Sequence, residues 1–103
     1  VRWFRMQYPD KIIFAIPNGG KRDIREASRL KAEGVLAGVP DLFVAEPYMG
    51  ASGLFIEMKF GKGKQTESQE WLFKQLRACG YECEIVNSFE EFETIINSYF
   101  LEN

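Results

Sequence analysis

Two S/T-x-x-E/Q spacings, Thr66 with Gln69 and Ser88 with Glu91, constrain this chain more than any other feature. In such a box the hydroxyl accepts the backbone N–H three residues on, and the acidic or amide side chain reaches back. Each box therefore marks a helix start. Gly80 stops the first of these helices at about Cys79, Tyr81–Val86 is left as a strand, and the second helix runs from Ser88 to about Phe100. Upstream, Val1, Phe4 and Tyr8 lie on one helical face, so Val1–Tyr8 reads as the end of a helix that Pro9-Asp10-Lys11 breaks. Ile12–Ile16 is a β-branched strand, and Pro17-Asn18-Gly19-Gly20 is a loop. Asp23 with Glu26 opens a helix that closes at Gly34. Gly38-Val39-Pro40 gives an extended approach to a strand over Asp41–Ala45; a turn over Glu46–Gly53 leads to a strand over Leu54–Lys59. The order α-β-α-β-β-α-β-α predicts an α/β fold with a small mixed sheet flanked by helices.

At 103 residues, 46% of them hydrophobic, the chain makes one domain, 1–103, with a real core. It contains no apolar run of the ~18 residues that a membrane span needs, so a soluble, cytoplasmic protein is expected, with no membrane partner. The sequence does not begin with Met, and the first helix is expected to start upstream of Val1. There is no histidine, which excludes Ser-His-Asp and Cys-His catalysis and histidine metal ligands. Cys79 and Cys83 are too few for a disulfide scaffold or a four-cysteine zinc site, and read as reduced, half-buried thiols.

The net charge of −2 conceals segregation. Val1–Lys31 carries a net +5 and Lys59–Arg77 a net +3, whereas Ala32–Met58 carries −4 and Ala78–Asn103 −6. Solvated helix faces would produce such blocks; so would a nucleic-acid footprint on the basic segments.

Leu54-Phe55-Ile56-Glu57-Met58-Lys59 places chemistry in an apolar strand. Alternation turns Phe55, Glu57 and Lys59 to one side and Leu54, Ile56 and Met58 to the other. Charges held there must pair with each other or bind something. A Glu57–Lys59 ion pair at a sheet edge is one reading. Asp41, at the start of the preceding strand, offers a second: in a hairpin it lies near Glu57, unless it merely caps its strand. Two converging carboxylates without histidine form a hard-oxygen site suited to Mg²⁺ or Mn²⁺, to which the Met58 carbonyl adds an oxygen. Lys59 would then steady a phosphate and orient or deprotonate a water, as metal-assisted phosphodiester hydrolysis requires. Gln69 shares a helical face with Leu72, Phe73 and Leu76, so its amide either reaches this site or only closes the capping box. Trp3 and Trp71 are expected to be packing residues.

The ordered set Gly38-Val39-Pro40-Asp41-Leu42, Glu57-Met58-Lys59, Gln69-Glu70-Trp71 and Gly80, with the Pro-Asn-Gly-Gly loop and the basic helix after it, resembles the virus-type replication-repair nuclease (VRR-NUC) domain. That family belongs to the PD-(D/E)xK restriction-endonuclease-like superfamily. The resemblance runs from about Val1 to about Asn97 and implies a restriction-endonuclease-like core. It implies metal ligands at Asp41 and Glu57, a catalytic Lys59, a supporting Gln69, and Mg²⁺ or Mn²⁺ as cofactor. The family's first-helix glutamate is missing from Val1–Tyr8; it is expected upstream, unless Gln7 stands near its place. Stand-alone members resemble phage and bacterial proteins acting as dimers on branched DNA. The implied function is a Holliday junction resolvase working as a homodimer in a bacterial or phage-infected cytoplasm. A flap or nicking nuclease of the same fold and a non-catalytic DNA-binding module are the alternatives, with a plain interaction domain or an enzyme of another class behind them. Lys21, Arg22, Arg25, Arg29, Lys62 and Lys64 are the candidate phosphate contacts, and Asn18, Gly19 and Gly20 would let backbone approach DNA, unless that segment is only a surface loop.

Overall fold

The computed structural model describes residues 1–17, 28–29, 32–59, 61 and 63–101. They form α1 (Arg2–Gln7), β1 (Ile13–Ala15), β2 (Leu42–Val44), β3 (Leu54–Met58), α2 (Glu67–Ala78), β4 (Glu82–Val86) and α3 (Phe89–Tyr99). The sheet order is β1-β2-β3-β4. The first two pairings are antiparallel and the last, which crosses over through α2, is parallel. This is the small mixed sheet with flanking helices that the sequence predicts; the helix expected from Asp23 to Gly34 lies largely outside the described residues.

Local chemistry accounts for the element ends. The Thr66 hydroxyl accepts the Gln69 N–H at 3.2 Å, and the Gln69 carbonyl oxygen accepts the Thr66 N–H at 2.9 Å, a complete capping box. At the other end of α2, Gly80 takes φ +95°. Its N–H donates to the Arg77 carbonyl and the Tyr81 N–H to the Leu76 carbonyl, a Schellman closure. The box at α3 is half formed. The Ser88 hydroxyl accepts the Glu91 N–H, but the Glu91 carboxylate reaches back one residue further, to the N–H of Asn87 at 2.7 Å. The β2–β3 hairpin turns through Met49 (φ +50°) and Gly50 (φ +88°), flanked by a Tyr48–Ala51 bridge. Both central residues at positive φ match the twist of the strands.

Register divides the sheet into two faces. Ile13, Leu42, Val44, Leu54, Ile56 and Val86 face a core closed by Phe4 of α1 and by Phe92, Ile96 and Tyr99 of α3. Phe43, Phe55 and Glu57 point the other way, toward α2, whose Leu72 and Phe73 are buried. On that side Phe43 stacks on Phe55 at 4.4 Å, and Phe14 and Tyr81 meet them edge-on. Cys83 is buried and Cys79 exposed, so the expectation of two half-buried thiols is replaced by one of each kind. Burial pushes the Cys83 thiol up to about 11, so it stays protonated. Among the described residues no helix is long and apolar enough to cross a membrane.

Candidate active site

Backbone packing places Asp41. Gly38 takes φ +88°, and a Cβ there would lie 2.7 Å from the backbone carbonyl of Ser68. Only glycine lets this loop rest on the first turn of α2. Pro40 is fully buried beside it. Asp41 then enters just before β2, where the ladder to β3 ends at Leu42 opposite Ile56. Its Oδ2 accepts the N–H of Met58 at 2.7 Å, so a side chain takes the place of the next ladder acceptor. N–H and C=O of one strand residue point to the same side. The Met58 carbonyl therefore faces the same margin of β3, past the end of β2.

Glu57 is the buried charged residue of this chain's described core, only 3% exposed. Its Oε2 accepts from the side-chain amide of Gln69 at 3.2 Å, while its Oε1 is buried and has no partner among the described residues. Burial, first, and then the negative charge of Asp41 and the hydrogen bond that a protonated Glu57 would share with it push the Glu57 carboxyl up to about 7; Lys59 opposes the rise. An orphaned carboxylate oxygen beside a second carboxylate has two remedies, a proton shared with Asp41 or a cation between them.

Gln69 performs both roles that the sequence left open: its oxygen closes the capping box and its nitrogen holds Glu57. Lys59 is half-buried, and its backbone N–H extends the ladder to the Val86 carbonyl at 2.8 Å. Among the described residues it makes no ion pair with Glu57 or Asp41. Since β3 is an inner strand, the sheet-edge ion pair is not what the fold builds. Sequence reasoning passed over Gln65, whose amide nitrogen is buried without a partner among the described residues, immediately before the α2 N-cap; nothing in its local pattern marks it. It also expected Trp71 to pack. Trp71 is 58% exposed, because it lies about 200° around α2 from Gln69 and off the buried stripe. Trp3 does pack, edge-on to Tyr8, Phe89 and Phe92.

Asn18, Gly19, Gly20, Lys21, Arg22, Arg25 and Lys62 lie outside the described residues. Arg29 is exposed and ion-paired to Glu33 at 3.6 Å, and Lys64 is exposed just upstream of α2. Gln7 is exposed at the end of α1, and among the described residues no group of three or more acidic or cysteine side chains comes together. Among the described residues Asp41 and Glu57 thus converge without a third carboxylate.

Comparison with known proteins agrees with this architecture. A solved structure described as a VRR-NUC domain protein superposes with a TM-score of 0.74 at 28% identity, over 85% of this chain. The chain spans 66% of that structure's length. No curated protein matches. The VRR-NUC domain family matches over residues 3–90, nearly the whole of the chain described above, and the chain belongs to that family.

Proposed function

We propose that this domain is a divalent-metal-dependent endonuclease hydrolysing phosphodiester bonds in branched DNA, and that it acts as a homodimer resolving Holliday junctions. The observation that carries the reading is the unpartnered, buried Oε1 of Glu57 beside the Asp41 carboxylate. Asp41, Glu57 and the Met58 carbonyl are the oxygens that would hold Mg²⁺ or Mn²⁺, and their all-oxygen character suits a hard cation. When bound, such a cation supplies a Lewis acid for the phosphoryl oxygen and a more acidic water. The rest falls to side chains of the chain itself. Gln69 fixes the Glu57 carboxylate through Oε2 and leaves Oε1 for the site. Lys59 follows Glu57 on the same face of β3, presents its ammonium to the scissile phosphate and orients the attacking water. Arg29 and Lys64, with Lys21, Arg22, Arg25 and Lys62, contact flanking phosphates. A two-fold dimer places two such sites on a junction, which needs two symmetric cuts. The non-catalytic module is kept as a second reading because only two carboxylates converge among the described residues.

The test is a labelled four-way junction beside a flap and a linear duplex, incubated with the full-length protein in Mg²⁺, in Mn²⁺ and in chelator. Paired, metal-dependent cuts confined to the junction are expected, lost in Lys59→Ala with junction binding retained. Cutting of flap or duplex as well would keep the nuclease and remove the resolvase. Binding without cutting in either metal would favour the non-catalytic module.

A further inference from the structure

Strand β4 closes the sheet order on one side, and among the described residues no strand pairs with its outer edge. The Glu82 N–H bonds the Gly53 carbonyl and the Val86 carbonyl accepts the Lys59 N–H, so even-numbered residues face β3. The backbone groups of Cys83 and Ile85 therefore point outward. Among the described residues they have one partner: the Arg77 guanidinium donates to the Cys83 carbonyl at 2.8 Å. An unpaired edge is a template for another strand unless it is blocked.

Both flanks of this edge are hollow. On the α3 side a cavity of about 360 Å³ is lined by Tyr48, Glu82, Glu84, Ile95 and Tyr99; on the α2 side one of about 480 Å³ is lined by Arg77, Tyr81 and the same two glutamates. Exposed Met49, held at positive φ, lines both. Glu82 and Glu84, two residues apart, share a face of β4, and Glu84 is half-buried. The Tyr99 hydroxyl donates to the Glu46 carbonyl at 2.6 Å, which fixes its ring as a wall of the cavity. Rigid aromatic and aliphatic walls beneath carboxylates match the stems and heads of lysine and arginine.

We propose that the β4 edge is a docking groove for an extended, basic polypeptide segment of a partner protein, which adds a fifth strand and places Lys or Arg at alternate positions against Glu82 and Glu84. Charge complementarity selects this occupant. A second copy pairing edge to edge would bring four carboxylates together, and nucleic acid is repelled by a C-terminal block, Ala78–Asn103, with six acids and no base. The edge already takes one guanidinium, that of Arg77, at its outward carbonyl. The backbone ladder supplies affinity and the alternating cations supply register.

The probe is a fluorescein-labelled octapeptide alternating arginine and valine, titrated into the intact protein by fluorescence anisotropy. Three comparisons accompany it: a peptide with glutamate for arginine, a peptide N-methylated on alternate backbone nitrogens in each of the two registers, and Glu82→Gln and Glu84→Gln proteins. Expected are saturable binding of the arginine peptide, loss of at least tenfold with the glutamate peptide, and loss of at least tenfold in one N-methylated register only. Glu84→Gln should weaken binding about fivefold and exposed Glu82→Gln somewhat less. Equal binding of both N-methylated registers would reduce the groove to a patch of charge and overturn strand addition. No binding at millimolar peptide, or binding indifferent to both glutamine variants, would overturn the groove itself. A dimer tightened by Glu82→Gln, seen by sedimentation, would give the edge to a second copy instead. None of these readouts depends on nuclease activity, so the groove and the catalytic reading stand or fall separately.

Discussion

On the face covered by α1 and α3, Ile13, Leu42, Val44, Leu54, Ile56 and Val86 are at most 8% exposed, and all are apolar. On the face covered by α2, one strand residue further along β3, Glu57 is buried almost as deeply with an oxygen that lacks a partner among the described residues. Ile56 and Glu57 are chain neighbours in one strand, yet the first contributes stability and the second takes it away. The contrast supports the site proposed above: burial of an unmatched acid is costly unless something outside the fold completes it.

Substitution at the two neighbours gives the largest expected effects, and they are opposite in sign. Glu57→Gln keeps an acceptor for Gln69 and removes the buried charge. DNA cleavage should fall at least 10³-fold, about 4 kcal/mol in barrier, while metal-free protein at pH 8 gains roughly 1–3 kcal/mol. Loss of stability there, measured by denaturant titration, would contradict the assignment of Glu57 as a burdened group. Ile56→Ala should instead cost about 2–5 kcal/mol. A melting temperature within 3 °C of the parent would show this face to be less tightly filled than its burial implies.

pH sharpens the contrast on one face alone. The Glu57 carboxyl is raised from 4.5 to about 7, so the folded protein binds a proton that the unfolded chain releases. The stability from that proton is fully present below about pH 4.5 and is lost as pH rises through about 7, by roughly 3 kcal/mol at most. Chelator-treated protein should follow this decline, Glu57→Gln should flatten it, and Mg²⁺ should stabilise more at pH 8 than at pH 6. A stability profile flat from pH 5 to 8 in both proteins would show that the Glu57 carboxyl is neither desolvated by burial nor crowded by Asp41.

The smallest effects separate the two roles of Gln69. Thr66→Ala removes the cap alone and should cost about 1 kcal/mol with cleavage nearly unchanged. Gln69→Ala removes cap and clamp, and should lose similar stability together with about tenfold in rate. Equal rates in the two variants would leave Gln69 as a capping residue only.

Much of this was legible because the signals are local. Capping residues and Gly80 set the ends of α2, and the stripe through Gln69, Leu72 and Phe73 pointed that amide inward. The bond from the Met58 N–H to Asp41 was not legible: it joins residues 17 apart and depends on where the β2–β3 ladder stops. The exposure of Trp71 was misjudged by giving side-chain type more weight than angular position on the helix. The cavities along β4 left no trace in sequence beyond two glutamates in a strand, since a free edge is a property of sheet order.

The close seating of Gly38 on Ser68 has a bearing on biosynthesis. Asp41, Glu57 and Gln69 meet only after the hairpin has paired and the following helix has docked beneath the loop. A chain emerging from the ribosome, or one opened by stress, has these side chains scattered and would lack the metal site proposed above. On the proposed reading, competence requires the folded loop-on-helix contact, and a copy that has lost this contact lacks the assembled site.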